Sequence, residues 1–331
     1  MSAGESRDGD RVRVAVVGMG AIGGAAAAEC VESDDLELVA QVDPARAGET
    51  ANGLEIVASL AELPDATDVA MLCTSSSVRS VAADLEALVG AGVHVVSSCE
   101  ELTFPWLGDP ATASALDATA QAAGRTILGC GVNPGFVMDV LPVLAASAGL
   151  RPRTVTVRRE ANLARRRPQL QRKVGVGLDP DEWQRLQDED GRFGHWGLVE
   201  SALVVAVGLG WTPAATSFTR RPLSRDGAVT GIEEVAQVDC EQQRSVTLTL
   251  HFEMHGPDED RIEIDGLPAL ALVAEDGIQG DHATVARLLS SARVVGGMPP
   301  GLRLPLEAPL WWRRPSFSFE SATLQAATRS A

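Results

Sequence analysis

Val12-Arg13-Val14-Ala15-Val16-Val17-Gly18-Met19-Gly20-Ala21-Ile22-Gly23 decides the fold of this chain. The β-branched run 12–17 reads as a strand, Gly18 ends it, and the Ala-rich stretch on to Cys30 has helical composition. In such a turn the first glycine permits the bend, the second lets a pyrophosphate approach the backbone, and the third lets helix and strand pack closely. The first helical amides then meet the phosphate charge, so Gly18, Gly20, Ala21, Ile22 and Gly23 are the expected cradle of a nicotinamide dinucleotide. A glycine-rich turn with no ligand is the competing account, and the next strand weighs against it. Asp43 closes that strand about twenty residues beyond Gly23, where a carboxylate accepts hydrogen bonds from the adenosine ribose. Its charge favours NAD, whereas Arg46 offers a guanidinium to the extra phosphate of NADP; the expectation is NAD or NADP, leaning to NAD.

The same alternation continues outward. Strands at 36–42, 68–74, 93–97 and 125–128 are separated by a short helix at 59–63 and longer ones at 77–89 and 111–122. Strands alternating with helices imply right-handed crossovers, so residues 11–134 are expected to form a doubly wound parallel sheet of the Rossmann type, the dinucleotide-binding domain of an α/β protein. Residues 1–10 read as a polar tail. Beyond 134 the rhythm changes: a helix begun at Phe136, a strand at 154–157, an Arg-rich connection, helices at 181–189 and 197–207, and four period-two segments, most clearly 246–254. These predict a second, α+β domain over 135–280, carrying an antiparallel sheet and forming the other wall of a cleft. Residues 281–331 are expected to be a C-terminal helix and tail returning to the nucleotide domain.

Composition removes several classes of function. With 28 basic against 45 acidic residues the formal net charge is −17, which repels nucleic acid and anionic membrane surfaces. No run approaches the eighteen apolar residues of a membrane span, and the five cysteines are odd in number and widely spaced, so a soluble, cytoplasmic protein with reduced thiols is expected.

Chemistry is expected at two strand ends, 97–106 and 128–140, because strand C-termini face the ligand crevice in this fold. Glu100 and Glu101 offer a carboxylate able to orient an amine, take its proton and stabilise a cation. As neighbours they cannot both enter one crevice; the alternative for either is an acidic helix start. Thr74, Ser75 and Ser76 offer hydroxyls and amides near a nicotinamide ribose, Cys99 lies beside them, and Asn133 is placed to orient nicotinamide or substrate. Phe104, Trp106 and Phe136 are candidates for an apolar substrate wall, and His195, between glycines, for a substrate hydrogen bond or an acid. Lys173 and Arg167 suit a substrate carboxylate, although the run Arg165-Arg166-Arg167 also reads as a solvated loop. His251, Glu253 and His255 share one face of a strand and form a metal set on spacing alone; no metal is expected.

Several motifs together resemble a known family. Ser98-Cys99-Glu100-Glu101-Leu102, Pro168-Gln169-Leu170-Gln171-Arg172-Lys173 with Gly175 and Gly177, Gly131-Val132-Asn133-Pro134-Gly135, Gly194-His195-Trp196-Gly197 with Glu200-Ser201, and Pro299-Pro300-Gly301-Leu302 are similar to segments of the 2,4-diaminopentanoate dehydrogenases and related amine dehydrogenases, whose fold resembles dihydrodipicolinate reductase. The resemblance spans nearly the whole chain. It implies NAD(P)-dependent oxidative deamination of an amine, or reductive amination of a ketone with ammonia, a catalytic glutamate at the Glu100-Glu101 position, and a homodimer. The chain has no tyrosine, so any family role for a tyrosine hydroxyl is absent or reassigned. An imine or enamine reductase and a catalytically silent dinucleotide-binding protein are the rival readings.

Overall fold

The computed structural model describes residues 11–190 and 193–310. Its first layer is built on β1 (Val12–Val17), α1 (Ala21–Val31), β2 (Leu36–Val42), β3 (Thr50–Ala51), β4 (Leu54–Val57), β5 (Val69–Leu72), α2 (Val78–Gly90), β6 (His94–Ser97), α3 (Pro110–Ala123) and β7 (Thr126–Gly129). The second comprises α4 (Val140–Ala146), β8 (Leu150–Asn162), α5 (Pro168–Lys173), α6 (Pro180–Asp190), α7 (Leu198–Gly208), β9 (Pro213–Arg225), β10 (Ala228–Cys240), β11 (Arg244–Glu253), β12 (Glu259–Leu267) and β13 (Leu270–Glu275), followed by α8 (Gly280–Val295) and β14 (Gly301–Arg303).

The first sheet runs in the order β14-β7-β6-β5-β1-β2-β4-β3, parallel throughout except for the β3/β4 hairpin. Its central strands are apolar on both faces, as a sheet covered on both sides requires: Val14 to Val17 and Val69 to Leu72 are all buried. On one face α8 joins α1, its Val285, Leu288, Leu289, Ala292 and Val295 packing with Ala26, Ala27 and Cys30; β14 then extends the sheet beyond β7. The chain leaves β1 in one direction for β2 and in the other for β5, so a crevice opens at their carboxyl ends, where α/β sheets bind ligands.

The second sheet, β13-β12-β8-β11-β10-β9, is antiparallel except at β8/β11. That parallel pair departs from the wholly antiparallel expectation because three helices and the β9/β10 hairpin intervene, giving the chain room to return in the same direction. One face carries Val155, Val157, Ile232, Ala236, Leu248 and Leu250 under α7, while the opposite face, with Thr154, Thr156, Thr247, Thr249 and His251, stays half-exposed. The strand expected at 154–157 extends to Leu150–Asn162. The helix expected from Phe136 begins instead at Val140, because the Asp139 carboxylate accepts from the Val140 amide at 2.6 Å and sets the start there.

Candidate active site

The glycine turn has the shape its sequence requires. Gly18 has φ +89°, and a Cβ on Gly23 would stand 1.9 Å from the Gly18 carbonyl oxygen, so helix and strand approach only because both lack side chains. Gly20 is the N-cap of α1 and supplies no side-chain acceptor, which leaves the helix's first amides free for an anion. A Cβ there would meet nothing within 4 Å, because this backbone faces the cleft. Asp43 points back at the turn: Oδ2 accepts from the Met19 amide at 2.9 Å and Oδ1 from Ala45 at 3.0 Å. Arg46 donates to the Met19 carbonyl at 2.9 Å and pairs with Glu49 at 2.7 Å.

A cleft of about 530 Å³ runs from this turn to the second sheet. Its lining includes Gly20, Ala21, Ile22, Thr74, Ser75, Ser76, Glu100, Asn133, Lys173 and His195. A phosphate-sized approach at Gly20, amides at the α1 start and a carboxylate at the end of β2 fit a dinucleotide running along this wall.

The neighbouring glutamates diverge. Glu100 enters the cleft, ion-paired with Lys173 Nζ at 3.0 and 3.2 Å and 4.0 Å from His195 Nε2. Glu101 turns the other way, and its Oε2 accepts from the Val78 amide at 2.8 Å, capping α2 across the turn. It therefore lies outside the cleft lining, serving a helix terminus by charge and hydrogen bond. Glu200, in the first turn of α7, is pushed up to about 7 by burial and then by the nearby charges of Glu101 and Glu100.

His195 is buried, and its Nε2 lies 2.7 Å from the Asn133 carbonyl oxygen. A carbonyl only accepts, so Nε2 carries the proton and Nδ1, buried without a hydrogen-bond partner, is the acceptor. Burial holds this imidazole below its ordinary value, and the adjacent Lys173 adds to that, against the opposing pull of Glu100, Glu234 and the Asn133 carbonyl. Both amide atoms of Asn133 are buried without partners, in a side chain that lines the cleft. Two such unanswered polar atoms are costly unless a ligand meets them.

Other sequence candidates sit elsewhere. Cys99 is buried beneath the cleft wall, its thiol pushed up to about 12 by burial. Phe104 packs against the second domain's core and Trp106 against that of the first, the two rings edge to face at 6.3 Å, while Phe136 lies under Arg287 with the guanidinium 5.3 Å from its centroid. None of the four lines the cleft: Cys99, Phe104 and Trp106 have apolar partners in a core that the sequence could not locate, and Phe136 is taken up by Arg287. The arginine run is not a free loop: Arg165 and Arg166 pair with Asp258, and Arg167 with Asp281 at the cleft rim. His251 is flanked by Glu233 at 3.2 Å and Glu253 at 3.5 Å, and among the described residues no group of three His, Cys, Asp or Glu side chains could hold a metal ion.

Four residues were missed by sequence reasoning. Asp139, fully buried, accepts from Gly135 at 2.7 Å and from the Ser201 hydroxyl at 2.7 Å, tying the Asn133 loop to α7. Arg159 lines the cleft floor, 4% exposed, held by Asp260 and by the Ile278 carbonyl at 2.6 Å. Arg220 and Glu234 lie behind His195. A signal existed for two of these, because Arg159 and Glu234 occupy inward positions of alternating strands otherwise filled by Val155, Val157, Ala161, Ile232 and Ala236.

The comparisons agree with this layout. Residues 136–311, more than half of the chain, match the model of the 2,4-diaminopentanoate dehydrogenase C-terminal domain, and residues 10–101 match that of a CoA binding domain. The 2,4-diaminopentanoate dehydrogenase of Acetoanaerobium sticklandii is 25% identical over 340 residues, covering 91% of this chain and 94% of that protein. Among solved structures, an amine dehydrogenase from Mycobacterium smegmatis superposes with TM-score 0.79 at 20% identity, over 90% of this chain and 96% of that one. The UDP-N-acetylglucosamine 3-dehydrogenase of Acidithiobacillus ferrooxidans follows the same fold less closely, with TM-score 0.58 at 15% identity, over 90% and 93%. With its glycine turn, its paired carboxylate in the cleft and residues 136–311 matched to the family's C-terminal domain, the chain belongs to the 2,4-diaminopentanoate dehydrogenase family.

Proposed function

We propose that this chain is an NAD(P)-dependent amine dehydrogenase in which Glu100 handles the proton and the charge of the reacting amine. The observation that carries the reading is the position of Glu100: alone of the two neighbouring glutamates it faces the cleft, opposite the glycine turn. The dinucleotide, held along Gly18 to Gly23 and Asp43, supplies hydride acceptance or donation; the chain does everything else.

An amine enters as its ammonium and must lose a proton before hydride can leave its carbon. Glu100 pairs with that cation, takes its proton and passes it to solvent, and, a carboxylate again, stabilises the positive iminium carbon–nitrogen unit. Water adds to the iminium carbon with Glu100 carrying a proton from the water oxygen to the nitrogen, and as the C–N bond breaks Glu100 takes the remaining hydroxyl proton, releasing ammonia and the ketone; run backward, the sequence is reductive amination. Lys173, bonded to both Glu100 oxygens, keeps the carboxylate oriented and yields one of them to the incoming ammonium. Asn133 offers its unpaired amide to the ligand, and His195 acts through Asn133 by donating Nε2–H to its carbonyl.

NAD is the preferred coenzyme in this reading, since Asp43 directly follows β2, where this fold meets the adenosine ribose, and Arg46 is already engaged by Glu49. A homodimer is supported by the half-exposed outer face of the second sheet, and a reducing cytoplasm suits five free cysteines.

The test is turnover of 2,4-diaminopentanoate, and of simple ketones with and without ammonium, using both coenzymes. Glu100→Gln is expected to lower kcat by about 10²–10⁴-fold. Glu101→Gln, which only weakens the α2 cap, is expected to stay within a few-fold of the parent and to lose thermal stability instead. Full activity in Glu100→Gln would end the proposal.

A further inference from the structure

Behind His195 lies a built-in support that the reaction chemistry does not itself require. Glu234, on β10, is fully buried. Its Oε1 accepts from the His195 amide at 2.8 Å and from Arg220 Nε at 2.6 Å. Arg220, on β9, reaches round with Nη2 to the His195 carbonyl at 2.8 Å. Both polar groups of the His195 backbone are thus held by one ion pair on a hairpin. From the other side the Gly194 amide donates to the Lys173 carbonyl at 2.9 Å, so this dipeptide also anchors the end of α5 that carries the Glu100 partner.

Gly194 shows how closely the pair grips. Its φ is +111°, and a Cβ there would fall 2.1 Å from Arg220 Nε and 2.4 Å from Glu234 Oε1. Only glycine lets the guanidinium and carboxylate close over the backbone. A buried ion pair is seldom a net source of stability, because desolvating two charges offsets their attraction. Here Glu234 Oε2 is buried with no partner at all, a further cost. Such an arrangement is better explained by what it holds than by what it adds to stability.

We propose that Arg220 and Glu234 are a positioning pair that fixes the His195 imidazole against the Asn133 carbonyl, and so sets the corner where Glu100 and Asn133 meet the substrate. The pair touches neither substrate nor coenzyme. Arg220 and Glu234 are absent from the cleft lining, and the imidazole they carry stands edge-on to Phe252 at 6.4 Å on the cleft's far wall. This inference rests on the role given to His195 above.

The conservative variant separates positioning from charge. Arg220→Lys keeps the cation beside Glu234 but offers its donors from one nitrogen, in place of the separate Nε and Nη2 with which the planar guanidinium spans Glu234 and the His195 carbonyl. With 2,4-diaminopentanoate and NAD⁺ its kcat is expected to fall about 10-fold, with the coenzyme KM unchanged and the melting temperature near that of the parent. In a His195→Ala background the same substitution should cost less than about 2-fold, because its target is gone. A second readout needs no substrate. In histidine-labelled protein the His195 Cε1–H resonance of the parent should remain that of the neutral ring at pH 6.5, and Arg220→Lys should bring it into titration nearer the ordinary histidine range as the ring loosens into water. The groups facing that ring are Glu100, Lys173, Glu234 and the Asn133 carbonyl, all unchanged in the variant.

If His195→Ala alone leaves turnover intact, the reading of His195 is wrong and the pair has no catalytic consequence. If His195→Ala is impaired but Arg220→Lys costs the same in both backgrounds, His195 matters and the pair does not act through it. If Arg220→Lys proves unstable, Glu234→Gln carries the same turnover cycle, without the resonance test because Glu234 is itself one of the charges facing the ring. An unmoved His195 resonance in Arg220→Lys, or undiminished kcat in both variants, overturns the inference.

Discussion

The two walls of the cleft are assembled in opposite ways. The wall proposed for the coenzyme comes from one continuous stretch: strand, glycine turn and helix over 12–31, with Asp43 at the end of the next strand. The wall proposed for the substrate is gathered from afar, with Glu100 paired to Lys173 across 73 positions, His195 to Asn133 across 62, and Arg159 to Asp260 across 101. A local wall depends on backbone shape, and an assembled one on polar contacts between separate elements. The first should fail abruptly when a single atom is added. The second should lose function in graded steps, one contact at a time.

The sharpest way to break the contrast is at Gly23. An added methyl there stands 1.9 Å from the Gly18 carbonyl oxygen, a backbone atom that cannot move without parting β1 from α1. Gly23→Ala is expected to weaken NAD⁺ binding by about 100-fold or more, on the order of 3 kcal/mol, as measured by calorimetric or fluorescence titration. Near-parental affinity would mean that the turn tolerates a side chain and that this wall is not shape-determined. The smaller Asp43 change asks how charge modulates shape. Asp43→Ala removes the acceptor for the Met19 amide and the acid at the ribose position, and should shift the NAD⁺-to-NADP⁺ ratio of kcat/KM toward NADP⁺ by about 10-fold. An unchanged ratio would assign coenzyme choice to other residues.

Legibility in the sequence follows the same division. The shape of the Gly18 to Gly23 turn and the place of Asp43 could be read because they depend on neighbours in sequence, and the alternation of strand and helix placed them at the carboxyl ends of a parallel sheet. The Glu100-Glu101 pair was legible as a location but not as a choice. Which carboxylate enters the cleft depends on the Val78 amide, supplied by α2, and on Lys173, supplied by α5. The aromatic residues misled for a related reason: Phe104, Trp106 and Phe136 follow strand ends, yet Phe104 packs on the core under the second sheet, Trp106 on that of the first, and Phe136 beneath Arg287 of α8, partners that lie far away in sequence or on separate elements. Arg220 had no signal of its own, since on the exposed edge strand β9 it resembles any solvated arginine. Glu234 had one, an acid at an inward position of a strand, and reasoning from strand period alone passed over it.

The smallest effect probes where the two walls meet. Glu200 opens α7 beside the turn that carries Glu100 and Glu101, and in the folded protein it keeps its proton up to about pH 7, against an ordinary value of 4.5. The folded state therefore binds this proton more tightly than the unfolded chain, so stability is greatest below 4.5 and declines as pH rises toward 7. Above that the protein carries the full cost of an ionised, partly buried carboxylate near two others, on the order of 2 kcal/mol once its partial exposure is allowed for. Glu200→Gln removes the charge and keeps the shape. It should be more stable than the parent in urea unfolding at pH 8, with the difference shrinking to nothing by pH 4, while NAD⁺ affinity stays the same because the coenzyme wall does not share this charge. A constant difference across that range would show that the stability change comes from packing, and an altered NAD⁺ affinity would show that the two walls are electrostatically joined.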